Sequence, residues 1–433
     1  MRFRGAKLLA LVILEFSSSC NGIGIGSGRG RELLVHVVAP PSSGSAAVTE
    51  EETADGSQGR PFRSVHAARD ALRAGLGAGV PRTVLVDGAH FLEAPLHLDS
   101  RDSGTADAPI TYRSRSTAKP ARLSGGRKLP ASSFKPTAVP SGAAGVVRAN
   151  LFALGLNASE VVGFEPALQP GNYPVNALEL FVDGKPMLRA RSPNLAPDGT
   201  WLYGGYQNVT AVSNMSFTLA DSTLGSLWAK AAAAGDLYLH GYFHWDWRDD
   251  YLKVDSVIPM PGGASFNITR DYNTVPQYTF TKGCRFYAVN SLELLDSAGE
   301  YWVDHKTGDL YVLPERPFTA DTDVVVSVLT SVVDAKAVSH TVWKDMVISD
   351  ARGSPLILES GGSNVVEGCT VSNSGLYCMA VAGNNNSVRN NTVFGCGQGG
   401  ISLYAGLPLS ALVAGNSSLV GNHISNFSRI CRT

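Results

Sequence analysis

His340–Tyr404 reads HTVWKDMVISDARGSPLILESGGSNVVEGCTVSNSGLYCMAVAGNNNSVRNNTVFGCGQGGISLY, and the beat of its apolar residues decides the fold. Val342/Val347, Val366/Val371 and Val388/Val393 are apolar pairs five residues apart, and Leu419/Ile424 continues the series. Their first members lie 24, 22 and 31 residues apart, the last interval holding an extra stretch near GLPLSALVA, so the underlying step is 22 to 24. One position inside each unit reads Asp345, Cys369, Asn391, Asn422, and a second short strand recurs as Pro355–Leu358, Met379–Ala382 and Ile401–Tyr404. Short strands separated by Gly and Asn corners cannot close a core singly. Stacked at ~4.8 Å per coil, they bury a continuous column of Val, Ile and Leu. An up-and-down barrel would not repeat at this step with like residues in register. The expected fold is all-β, a parallel β-helix over 324–433.

Upstream, residues 176–323 change texture. Aromatics concentrate there, and hairpins are expected at Asp183-Gly184 and at Lys306-Thr307-Gly308-Asp309. This segment reads as an inserted, sandwich-like β domain. Residues 61–175 read as an N-terminal cap and the first coils. Val65, Ala68, Leu72 and Leu76 share a helical face with Ser64 as N-cap, suited to covering a solenoid's open end. Residues 21–60 read as a flexible Gly/Ser-rich linker interrupted by the short β-branched run Leu33–Val38. Arg2, Arg4 and Lys7 before the apolar run Leu8–Leu14 make 1–20 an expected signal peptide or signal anchor.

The chain of 433 residues carries 36 Lys+Arg against 37 Asp+Glu, a net charge of −1. It therefore lacks the basic field that recruits nucleic acid, and nothing downstream of the leader is apolar enough to span a membrane. The six cysteines show neither CxxC nor metal-ligand spacing, so no zinc site and no cofactor is expected, and disulfide pairing stays open. Of eight Asn-x-Ser/Thr sequons, Asn157, Asn208, Asn214 and Asn267 are the candidates for glycosylation; Asn385, Asn390, Asn416 and Asn426 fall in the Asn-rich repeat. A secreted, extracellular protein follows.

Five stretches together resemble right-handed β-helix proteins of glycoside hydrolase family 141, with their inserted β domain. They are PFRSVHAARDALR; DSGTADAPITYRS with ARLSGGR; ELFVDGKPMLRARSPN; LLDSAGEYWVDHKTGDLYVLP through VLTSVVDAKAVSHTVWKDMVISDARGSPLILESGGSNVVEGCTV; and GNHISNFSRICRT, in the family's order over 61–433. The resemblance implies a right-handed helix and carbohydrate-active enzymes acting on complex plant or algal polysaccharides. It also implies a chain truncated at its C-terminus. The family's presumed catalytic aspartates lie in coils beyond the point matching Ser428-Arg429-Ile430, so no catalytic residue carries over and this chain is expected to be inactive as given. An uncapped final coil would invite end-to-end association.

Glycoside hydrolysis ordinarily takes two carboxyl groups about 5–10 Å apart. Residues 368–433 contain no Asp or Glu. The coils before them offer Asp345, read as part of a corner ladder, then Asp350, and Glu359 and Glu367 as solvated corner residues. No GxSxG elbow is present, and Arg389, Tyr404, His423 and Arg429 lack the carboxylate cluster a lyase would use to hold calcium. The best remaining candidates for substrate contact lie in HGYFHWDWRDDY, His240–Tyr251. Tyr242, Trp245 and Trp247 could stack on sugar rings and Asp246 bond hydroxyls. Against this, alternation would send Trp245 and Trp247 into the insert's core, and Asp249 and Asp250 into a plain turn. Three functions remain: a glycoside hydrolase-like protein acting on or binding a polysaccharide, a non-catalytic glycan-binding or structural β-helix, and a surface adhesin.

Overall fold

The computed structural model describes residues 32–40, 54–164, 177–195, 205–213, 216–268, 280–406 and 413–431. The expected leader and Asn214 lie outside them. Three parallel sheets form the walls of a solenoid. The first wall stacks Leu33–Val38, Arg82–Asp87, Ile110–Ser114, Thr341–Lys344, Val365–Glu367, Ser387–Arg389 and Ser418–Val420. The second stacks Ala89–Phe91, Arg122–Ser124, Val347–Ala351, Thr370–Ser374, Thr392–Cys396 and His423–Ser425, and the third runs from Leu96–Leu98 to Ile401–Tyr404.

Side chains facing inward from one wall make a single column: Val35, Val84, Tyr112, Trp343, Val366, Val388 and Leu419. All but the terminal Leu419 are buried. Tyr112 and Trp343 lie face to face, ring centroids 4.6 Å apart. This register corrects the expected one by a residue. Trp343, not Val342, stacks under Val366, and Met346, not Asp345, stacks under Cys369. The larger aromatic fills the interior, and Val342 turns outward.

Corners are set by left-handed backbone. Asp345 (φ 54°), Gly368 (65°), Asn390 (55°) and Gly421 (67°) superpose along one edge. A Cβ at Gly368 would lie 2.5 Å from Asp345 Oδ1, so Asx and Gly alternate, the Asx side chain occupying the space its neighbour leaves empty. The repeat sequons Asn385, Asn390, Asn416 and Asn426 are such corner residues, with φ of 59°, 55°, 48° and 46°.

Beside the corners run buried amide ladders. Asn391 Oδ1 accepts from the Cys369 N–H (2.9 Å) while its Nδ2 donates to the Val366 carbonyl (3.0 Å). Asn364 repeats the device beside the first wall, accepting from the Thr341 N–H and donating to the Val338 carbonyl, and Asn386 Oδ1 accepts from the Asn364 N–H. Cys378 and Cys396 form a disulfide across adjacent coils, Cα atoms 5.5 Å apart.

The helix Val65–Arg73 forms as its pattern predicts. Ser64 Oγ accepts from the Ala67 N–H, and Val65, Ala68 and Leu72 are buried against the first coil. Leu33–Val38 corrects the linker reading. It pairs in parallel with Arg82–Asp87 and is the outermost first-wall strand among the described residues, because its β-branched residues find their partner beyond the helix.

The insert also begins earlier than expected. The chain leaves the third coil after Arg122–Ser124, and Gly126–Leu129 already pairs antiparallel with Val324–Ser327. It returns at Val328 and Leu329, whose N–H groups both donate to the Gly125 carbonyl. Among the described residues three sheets lie inside, the largest of eight strands, carrying the helix Ser222–Ala234. That helix replaces the second face of the expected sandwich. Asp221 caps it, Gly235 ends it in the left-handed region, and Trp228 packs on Phe266 and Phe286. The hairpins at Asp183-Gly184 and Lys306–Asp309 form as read.

Candidate functional site at the seam of insert and solenoid

Alternation gives the insert's largest sheet two unlike faces. In Tyr238–Tyr242, paired with Arg285–Val289 and with Asp250–Met260, Leu239 and its neighbours Phe286, Ala288 and Leu252 enter the apolar core beneath Trp228. The other face presents Tyr238, His240 and Tyr242 beside Tyr251, Arg285 and Tyr287.

On that face the buried His240 imidazole bridges the Asp249 carboxylate (Nε2, 2.6 Å) and the Tyr287 hydroxyl (Nδ1, 2.5 Å). Its ring stacks on Tyr251 at 3.8 Å, and the Arg191 guanidinium lies 3.6 Å over Tyr287. With Nε2–H donating to Asp249, Nδ1 accepts from the phenol, giving a tyrosine–histidine–aspartate chain. Asp249 and Asp250 are fully buried, which corrects their reading as turn residues; Asp250 pairs with Arg248.

The proposed sugar contacts are divided. Trp245 and Trp247 are 37% and 66% exposed, so the core reading is corrected: strand pairing stops at Tyr242 and the loop carries both indoles outward. Their rings stack on each other at 5.2 Å and 22°, with His244 edge-on to Trp245. Asp246 is exposed and pairs with Arg285 (3.2 Å), whose guanidinium covers Tyr242 at 4.4 Å. Arg285 also reaches Tyr206, which packs on Tyr287. Contacts of rings and guanidinium thus run from Arg285, which the loop residue Asp246 holds, through Tyr206 and Tyr287 to the buried histidine.

Tyr287 in turn lines a cavity of about 200 Å³ where insert and solenoid meet. Glu179, Arg189, Arg191, Tyr251 and Tyr301 face it from the insert, and Asn426, Arg429 and Ile430 from the last described coil. Glu179 Oε2 pairs with Arg429 (2.8 Å), and the Tyr251 hydroxyl donates to the Ile430 carbonyl (3.0 Å). Behind the cavity, burial pushes the Glu300 carboxyl up to about 8, outweighing hydrogen bonds from the Ser297, Arg191 and Asp296 N–H groups. The sequence signal for this seam was slight: Glu179, Arg189 and Arg191 lie in one family-like stretch, but nothing local shows them meeting Arg429.

The other candidates are structural. Asp350, fully buried, accepts from Arg122, Ser124, Ser349 and Asn373, and Arg122 also pairs with Asp323, clamping insert to solenoid. Glu367 bridges Arg389 and Lys344, and its carboxyl is held below the usual range first by Arg389. Glu359, Tyr404 and His423 are exposed. Asn157 and Asn208 are exposed, while Asn267 is half-buried with its Nδ2 on Ser256. Among the described residues no His/Cys/Asp/Glu cluster could hold a metal ion, and no helix is long and apolar enough to cross a membrane.

Residues 330–429 match a family model described as "Right handed beta helix region". The solenoid is a right-handed β-helix. A solved structure described as "Glycoside hydrolase" matches with a TM-score of 0.65 at 16% identity, covering 92% of this chain and 74% of that one. Another, "The complex structure of XylC with xylose", gives 0.45 at 12% identity over 92% of this chain and 54% of that one. No curated protein matches. The first likeness extends the agreement in fold from the repeat to the insert.

Proposed function

We propose that this chain is a secreted, carbohydrate-active β-helix protein of the family 141 lineage that binds a complex polysaccharide along the seam of its insert. The observation that carries this reading is the exposed, mutually stacked Trp245/Trp247 pair beside Asp246 and Arg285. Two large apolar rings held out of a core by a loop present flat faces to the C–H faces of sugars, with charged groups at hand for hydroxyls. The glycoside hydrolase fold supports the same class. Binding is favoured over hydrolysis because, among the described residues lining the cavity, Glu179 is the single carboxylate, and ordinary glycoside hydrolysis needs a pair.

The test is retention on a panel of immobilised plant and algal polysaccharides, with release of reducing sugar followed in parallel. At least one polymer is expected to retain the wild type. Trp245→Ala/Trp247→Ala should weaken that binding about tenfold, as roughly 1.4 kcal/mol of lost stacking implies. Retention of the double variant equal to wild type on every polymer would refute the assignment.

A further inference from the structure

The seam cavity is built for a smaller ligand than a polymer chain. Its volume of about 200 Å³ lies below the roughly 300–1,000 Å³ of pockets for drug-sized molecules, and suits one sugar ring. Its walls combine the rings of Tyr251, Tyr287 and Tyr301 with three arginines and one acid.

Charge decides the kind of sugar. Glu179 is 6% exposed; Arg429 holds its Oε2, while its Oε1 has no hydrogen-bond partner among the described residues. Arg189 donates to the Asn290 side chain and the Leu178 carbonyl and lies between Phe164 and Tyr301. Both hydrogen-bond partners are neutral, and among the described residues Arg189 forms no ion pair; Glu179, the one acid of the cavity, is paired with Arg429 instead. Among the described residues, a buried acceptor without a donor and a guanidinium without an ion-pair partner line one cavity. Each is costly in an empty site and useful in an occupied one.

We infer that this cavity is a subsite for a single uronate residue, its carboxylate against Arg189 and a ring hydroxyl donating to Glu179 Oε1. The inference rests on the polysaccharide reading above and narrows it to acidic glycans with a residue that can enter the seam, such as a chain end or side branch.

Calorimetric titration of the wild-type chain with glucuronate, galacturonate, glucose and galactose tests it. At least one uronate should bind about tenfold or more tightly than its neutral counterpart, the size of one charge-assisted hydrogen bond. Arg189→Gln should remove that preference. Met187→Trp, which narrows the cavity without altering charge, should abolish uronate binding while retention on polymer through the indoles persists. Equal affinity for acid and neutral sugars, or binding of none while polymer retention holds, overturns the subsite and leaves the polysaccharide reading standing. The wild-type comparison does not depend on either variant folding. Loss of polymer retention from the wild type would instead strike the reading beneath it.

Discussion

Asn391→Ala measures what the amide ladders contribute. Asn391 is 1% exposed, and its side chain satisfies two groups of the coil before it, the Cys369 N–H and the Val366 carbonyl. Both belong to residues buried in the column. Alanine leaves both groups without their partner, and each buried orphan costs about 1–3 kcal/mol, so about 4 kcal/mol is expected in all. Asn422 is the internal control. Its Nδ2 donates to the Val388 carbonyl at 2.8 Å, but it is half-buried. Water can replace it, and Asn422→Ala should cost about 1 kcal/mol. Hydrogen exchange followed by mass spectrometry on peptides spanning 364–371, with urea unfolding for the global term, reads both effects. Stability of Asn391→Ala within about 0.5 kcal/mol of wild type, with the Cys369 amide still protected, would show that the ladder only accompanies the stacking.

Other perturbations have equally definite outcomes. Glu300 has its carboxyl raised from 4.5 to about 8, so the fold binds a proton that the unfolded chain releases across that window. Its contribution is therefore complete below about 4.5 and declines as pH rises toward 8; Glu300→Gln should flatten that decline in a pH series of melting temperatures, and an unchanged slope would contradict the assignment. His240→Ala strips the fully buried Asp249 of its imidazole and should cost about 3 kcal/mol, read as a fall in melting temperature, with loss under about 1 kcal/mol counting against a tightly coupled chain. A Cβ at Gly361 would lie 1.7 Å from the Val338 carbonyl oxygen, whereas one at Gly368 meets the movable end of Asp345. Gly361→Ala should thus cost about 3 kcal/mol and Gly368→Ala nearer 1–2 kcal/mol in urea unfolding; the reverse order would mean that the backbone yields more easily than the carboxylate.

Much of the solenoid was legible because its signals are local. Period, corner composition, the Ser64 cap and the Asp183-Gly184 turn each sit within a few residues. The register slipped by one because matching Val with Val overlooked Trp343, which fills the same column with a different side chain. Leu33–Val38 was hidden by its partner's position beyond a helix, and Gly126–Leu129 by a partner on the far side of the insert. The indole pair was named as a sugar contact, but strict alternation, carried past the end of the strand at Tyr242, sent it inward. The Asp249–His240–Tyr287 chain and the Glu179–Arg429 pair depend on strands brought together by the whole fold. No spacing in the sequence announces them.

The insert departs from the third coil yet touches the last described one, through Glu179 on Arg429 and Tyr251 on Ile430. An ordinary solenoid can unravel a turn at a time from its far end, since each turn holds only its neighbours. Here the turn holding Arg429 and Ile430 is stapled back to a body rooted several turns below. Parting that turn from its neighbours means prying off the insert as well, so loosening that would have been gradual is made to wait for a single, larger event.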